Sequence, residues 1–186
     1  MNGYYKSAGP YVSPVIQQMP NVKSLSLCDL NFDRTIWREI ASALPMTISE
    51  LQLSGGVLNN EILLELTPYI TSNPALKVLN LLSNYRVSTE GWGALFNLMR
   101  GLRVEELHIH ETTIIGSTLT ILSDCVASIQ TLKVLKSPAW VPPSEHELEM
   151  LRTFTSTLVA HPFVEYGHIE RFDFPDAETI DTQIIQ

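Results

Sequence analysis

Apolar residues recur along this chain at the spacing V/L-x-x-L-x-L, six times over. The core reads VKSLSL from Val22, ISELQL from Ile48, LKVLNL from Leu76, VEELHI from Val104 and LKVLKS from Leu132, with a weaker VEYGHI from Val164. The steps between starts are 26, 28, 28, 28 and 32 residues, and a fixed period in this range predicts a solenoid. Successive residues of a strand point to opposite faces, so positions four and six of each unit turn one way while positions three, five and seven turn the other. Stacking such strands in parallel buries the leucines against helices of the same units. A single unit could not bury its own apolar face, so several are needed.

Each core is followed by an amphipathic segment with helix signals at its ends. Asp33, Asn60 and Ser88 stand where N-caps belong, and Ser144 with Glu147 fits the S-x-x-E capping box. Pro45, Pro74, Gly101 and Pro162 close four of these runs. Trp37 with Ile40, and Trp92 with Leu95, have the three-residue spacing of a buried helical stripe. The segment GPYVSPVIQQMP predicts the tail of one more helix ahead of the first strand. The fold class is therefore α/β, a leucine-rich-repeat solenoid forming a short arc, with a parallel concave β-sheet of about six strands and convex α-helices. One domain spans 1–186, with a helical cap at 1–21, repeats at 22–170 and an acidic tail at 171–186.

The Leu76 unit carries Asn84 at its ninth position, Val87 at its twelfth, Gly91 at its sixteenth and Leu95 at its twentieth. In this it resembles the 28-residue repeat of ribonuclease-inhibitor-like leucine-rich-repeat proteins, over roughly Pro10 to Glu170. The resemblance implies an arc with strands inside and helices outside that binds proteins on its concave face, as an adaptor or an inhibitor. The other units have Leu30, Gly56 and Thr112 at the ninth position, and Pro138 follows the fifth strand, so irregular loops are expected after several strands. The stretch NVKSLSLCDLNFDRTIWREIASALP also resembles the repeat regions of F-box proteins. That implies an alternative role as the substrate-recognition part of a larger ubiquitin-ligase receptor. A short arc with a capped carboxyl end is similar in size to the actin-capping domain of tropomodulins, a comparison resting on size and on no motif.

Charge narrows the class of partner. Twelve Lys and Arg against twenty Asp and Glu give a net charge of −8, and no basic run exists to track a phosphate backbone, so nucleic acid is not an expected partner. No apolar run approaches the ~20 residues that span a bilayer, and the amino terminus lacks the pattern of a secretory signal. Cys28 and Cys125 cannot make a disulfide framework, and no N-x-[ST] site is present. These features predict a cytoplasmic protein that does not engage membranes.

Positions three, five and seven define the expected binding face. Its candidate residues are Glu50, Gln52, Asn80, Glu106, His108, His110, Lys136, Tyr166, His168 and Glu170. Such a mixture suits a protein partner, although every solenoid exposes something on its inner face. His108, His110 and Glu106 are zinc-compatible ligand types on one strand. His168 lies two strands away, roughly 9 to 10 Å at the usual spacing, too far to complete a first shell with them. No metal or cofactor is expected, and the histidines read instead as exposed groups that change charge between about pH 5 and 8.

Two further segments leave alternatives open. In SPAWVPPSEHE, Trp140 stands among prolines that stiffen a loop, either as a tentative anchor for a partner or folded back over the end of the core. The tail ERFDFPDAETIDTQIIQ is either a cap on the last unit or an acidic ligand, and the open sheet also allows self-association. No hydrolase, nucleotide-binding or metalloprotease motif is present. Cys28 stands three strands, roughly 14 Å, from the nearest concave histidine, His108. The chain is read as a binding protein and not as an enzyme.

Overall fold

A computed structural model describes residues 9–112, 114, 116–137, 145–164, 166–169 and 183–185. The element order is α1 (Gly9–Gln17), β1 (Ser24–Ser26), α2 (Arg34–Ala43), β2 (Glu50–Gln52), α3 (Asn60–Ser72), β3 (Val78–Asn80) and α4 (Thr89–Met99). It continues with β4 (Glu106–His108), α5 (Ser117–Ser128), β5 (Val134–Ser137), α6 (Glu145–Ala160), β6 (Tyr166–Ile169) and β7 (Gln183–Ile185). The strands form one sheet in chain order. β1 to β6 are parallel, and equivalent repeat positions are paired throughout: Leu25 with Leu51, Leu51 with Leu79, Leu79 with Leu107, and Leu107 with Leu135. The expected arc is present, with one addition. β7, drawn from the acidic tail, pairs antiparallel with β6 and makes a seventh strand.

The helices form the second layer, each packed on its neighbours in sequence, and the core lies between the layers. Leu51, Leu53, Leu79, Leu81, Leu107, Ile109 and Leu135 are almost wholly buried, and each such side chain contributes on the order of 1.5–3 kcal/mol by leaving water. Trp37, Ile40, Trp92 and Leu95 are buried as their spacing requires. Trp92 stacks on Phe96 with ring centroids 5.8 Å apart. Asp33 caps α2, accepting from Ile36 N at 3.1 Å, and Ser88 caps α4. The cap of α3 is Asn59 and not Asn60. Asn59 accepts from Ile62 N, while Asn60 uses both ends of its amide on Ser88, accepting from its N–H and donating to its hydroxyl. Ser144, Glu147 and Trp140 lie outside the described residues or side chains.

The loops after the strands are more regular than the varied ninth residues suggest. The eighth residue of four successive units is left-handed: Asp29 at φ 55°, Gly55 at 78°, Ser83 at 61° and Glu111 at 53°. The backbone explains the regularity, because three of these residues donate N–H to the next unit, Asp29 to Ser54 O, Gly55 to Leu82 O and Ser83 to His110 O. Side chains cost about 1 kcal/mol or more in this region. The ladder therefore outweighs the strain.

Asn84 fastens one such loop from within. It is wholly buried, donates to Leu53 O at 2.6 Å and Leu81 O at 2.8 Å, and accepts from Leu58 N at 3.0 Å. Thr112, its counterpart one unit later, donates to Ile109 O at 2.6 Å and so repeats one of these bonds. At the other end of the strands, Thr47, Asn73 and Thr131, each at the end of a unit, donate to the carbonyls of Val22, Ile48 and Val104, the first residue of that same unit. Outside, Glu65 on α3 receives Arg34 and Arg38 from α2, and the two guanidiniums hold its carboxyl down at about 2. Replacing Asn84 by Ala strands two carbonyls and one N–H in the core, and should lower unfolding free energy in urea by about 3 kcal/mol with an unchanged m-value. Replacing Leu30, which makes no such bonds, should cost less.

Candidate functional site

Register alone sets the geometry of the concave face. Because strands pair position for position, the side chains at positions three and five stand in rows: Ser24, Glu50, Val78, Glu106 and Val134 in one, and Ser26, Gln52, Asn80, His108 and Lys136 in the other. Glu50, Gln52, Asn80, Glu106, His108 and Lys136 thus share one surface, as their spacing predicts. Tyr166 and His168 belong to β6, in register with Val134 and Lys136. Their side chains, and Glu170, lie outside the described residues.

Toward β1 the surface is a chain of neutral polar groups. Gln52 Nε2 donates to Ser54 Oγ at 3.1 Å, Ser54 Oγ donates to Cys28 Sγ at 3.0 Å, and Ser26 Oγ lies 3.0 Å from the same sulfur. Cys28 is a half-buried free thiol, whereas Cys125 is buried in the core and its thiol is pushed up to about 12. Asn80 turns part of its amide to its own strand, accepting from Leu82 N at 3.1 Å.

Toward β5 the surface is imidazole and ammonium. The His108 and His110 rings meet edge to face, with centroids 6.3 Å apart. His108 Nε2 lies 3.4 Å from Glu106 Oε2, at ion-pair distance but without hydrogen-bond geometry. The expectation of an exposed histidine needs correction here, because the His108 side chain is only 13% accessible. Burial, the Lys136 charge and His110 push its pKa below the usual histidine range, against a partial upward pull from Glu106. Among the described residues no three His, Cys, Asp or Glu side chains are grouped to hold a metal.

Two features of the face escaped the sequence reading. Ser83 hydrogen-bonds through its hydroxyl to the Glu111 carboxylate of the next unit, along the row of left-handed eighth residues. Tyr85, 64% exposed, stands beside Gly56 on the same rim. Register at position eight could have revealed the first, while nothing in the pattern marks the second. A groove of about 210 Å³ lies elsewhere, between the end of α3 and the turn before β4, where Asn73, Leu76, Leu102 and Arg103 line it.

Comparison with solved structures shows where this geometry recurs. The arc is similar to a tropomodulin carboxyl-terminal domain. That domain, from Caenorhabditis elegans, aligns with a TM-score of 0.62 at 12% identity, over 80% of this chain and 90% of its own. A leiomodin-1 structure described as actin-binding site 2 aligns with a TM-score of 0.55 at 15% identity, over 84% and 90%. Such identities show a shared fold and nothing finer. They correct the ribonuclease-inhibitor-like resemblance, since these neighbours have a leucine-rich-repeat-like fold of a different family. The structural reason is visible in the chain: only the Leu76 unit has the ninth-position asparagine, and the parallel run ends after β6 against the antiparallel β7. No protein-family model and no curated protein matches the chain.

The histidine pair offers a direct check on this geometry. The fold favours neutral His108, so its contribution is complete above the unfolded value near 6.5 and declines as pH falls toward the lower folded value. In an NMR titration, the His108 ring should reach its midpoint below 6.5. Lys136→Ala should move that midpoint up and Glu106→Gln should move it down.

Proposed function

We propose that this chain is a protein-interaction module whose partner lies along the concave sheet. The observation that carries the reading is the continuous, register-locked surface from Gln52 through Asn80 and His108 to Lys136. It combines neutral hydrogen-bonding groups at one end with imidazole and ammonium at the other, a composition suited to a partner with matching polar groups. Two carboxylates off this face are, by contrast, paired within the fold. Glu105 is bracketed by Lys77 at 2.7 Å and Lys133 at 3.0 Å, and Glu65 by two arginines.

The proposal assigns no catalytic role. Among the described residues the contacts of Cys28 are the hydroxyls of Ser26 and Ser54, whereas a nucleophile works with a base beside it. Actin is the first partner to try, because leiomodin-1 actin-binding site 2 shares the fold.

Affinity capture from a native lysate, with mass spectrometry, tests the surface. A triple variant, Gln52→Ala, His108→Ala and Lys136→Ala, should lose a partner that wild type retains, with affinity at least tenfold weaker, corresponding to about 1.4 kcal/mol. Equal retention by both proteins, with matching thermal unfolding, would remove the concave face from consideration. Co-sedimentation with filamentous actin and a binding titration with monomeric actin decide the identity of that partner separately.

A further inference from the structure

The margin at which the chain enters its strands is secured by two recurring bonds, and one turn lacks both. The first residue of a unit directs its N–H back to the turn before it, Val22 to Met19 O, Ile48 to Pro45 O, Leu76 to Asn73 O and Leu132 to Ile129 O. Its carbonyl accepts from a side chain at the end of its own unit, Val22 from Thr47, Ile48 from Asn73 and Val104 from Thr131. One repeat after Asn73 the residue is Gly101. Glycine supplies no side chain, and among the described residues nothing donates to the Leu76 carbonyl. Gly101 is also left-handed, at φ 76°, and its turn closes early, through Leu102 N–H to Met99 O. The N–H groups of Arg103 and Val104 consequently have no partner among the described residues.

Leu76, Gly101, Arg103 and Val104 all line the groove between α3 and the turn before β4. Leu76 and Val104 are buried residues, and backbone groups of buried residues are nearly always paired. A Cβ on Gly101 would meet no described atom within 4 Å, so open space and unmet bonds coincide. The volume, about 210 Å³, is below the roughly 300–1,000 Å³ of pockets that enclose a drug-sized ligand and suits a single side chain. The groove and the units beside it fall within residues 9–112 and 116–137, which are described apart from 113 and 115 between them.

The preceding unit shows which chemistry answers such groups. There one carboxamide, that of Asn73, donates to Ile48 O at 2.9 Å and accepts from Ala75 N at 3.0 Å, and these two backbone groups correspond to Leu76 O and Arg103 N–H. A carboxylate could accept from the N–H groups but would set a negative charge against the Leu76 carbonyl, whereas a primary amide has both a donor and an acceptor. Charge adds a second requirement. Arg103 is exposed, and its guanidinium makes no ion pair or hydrogen bond among the described residues. The cations near it in sequence and register are occupied, Arg100 by Asp124 and Lys77 by Glu105.

We propose that this groove receives an asparagine or glutamine side chain of a partner polypeptide, with an acidic residue beside it for Arg103. The incoming amide donates to Leu76 O and accepts from the N–H of Arg103 or Val104, which completes the margin as Asn73 completes it one unit earlier. One side chain and one ion pair make a weak contact, so a short peptide binds in the millimolar range. The groove lies on the margin and not on the concave sheet, so this inference stands or falls independently of the binding reading.

An amide NMR titration of the full, isotope-labelled chain is the test, with two capped tripeptides as probes, acetyl-Glu-Asn-Glu amide and its leucine counterpart acetyl-Glu-Leu-Glu amide. The asparagine peptide should move the amide protons of Arg103 and Val104 downfield and saturate in the millimolar range. The leucine peptide, of matching shape and charge, should bind at least fivefold more weakly. Arg103→Ala, altered on an exposed side chain, should weaken the asparagine peptide at least threefold at unchanged melting temperature, read at the Val104 amide. Equal binding of the two peptides overturns the proposal, because charge alone then accounts for the contact. Absence of a saturable shift at these amides overturns it too, as does a response confined to His108 and Lys136 on the concave sheet.

Discussion

Strands of three and four residues cannot hold themselves, and the arrangement of this protein follows from how their register is kept. The position-six N–H of each unit bonds to the position-five carbonyl of the next, from Leu27 to Gln52, Leu53 to Asn80, Leu81 to His108 and Ile109 to Lys136. Once that ladder is fixed, the inward leucines align in one layer and the outward polar residues in rows. Side chains then secure both margins, Asn84 and Thr112 at one, Thr47, Asn73 and Thr131 at the other. Loss of register by a single residue would turn each strand over and put its leucines on the concave side. The short strands are thus specified by what surrounds them.

The same ladder separates the molecule into surfaces with different electrostatic character. Neighbouring glutamates illustrate it. Glu105 points to the side where Lys77 and Lys133 enclose it, and the two ammonium groups hold its carboxyl below the usual range. Glu106, one residue on, faces His108 across the concave surface. Alternation along a strand, and nothing else, assigns one carboxylate to structural charge balance and the other to a surface available for recognition.

The parts of this design that depend on periodicity were legible in the sequence. The starts of the units predict the strand pairing, and Trp37, Ile40, Trp92 and Leu95 predict the helical core, because both follow from spacing. What spacing does not encode was misread. Asn59 and Asn60 are adjacent and chemically identical, and only the path of the backbone decides which one caps α3 and which one reaches Ser88. The ninth residue varies between units and suggests irregular loops, but the common geometry lies at the eighth, where Asp, Gly, Ser and Glu have no shared chemistry and only the left-handed backbone in common. His108 reads as exposed from its concave position, yet the adjoining side chains shelter it. The edge strand formed by Gln183–Ile185 is separated from its partner by a stretch without repeat spacing, so periodicity offers no way to find it.

The unit from Leu76 to Arg103 is related to both neighbours by equivalent ladder bonds and ends one period from where it begins. It is therefore modular in a literal sense. Beyond its own unit, its asparagine reaches only into the preceding one, binding the backbone of Leu53 and Leu58. A duplicated copy inserted after Arg103 would find the corresponding backbone in Leu81 and Arg86. Because neither end of the arc takes part in these contacts, the length of the molecule is a quantity that insertion or deletion of whole units can change without redesigning its termini.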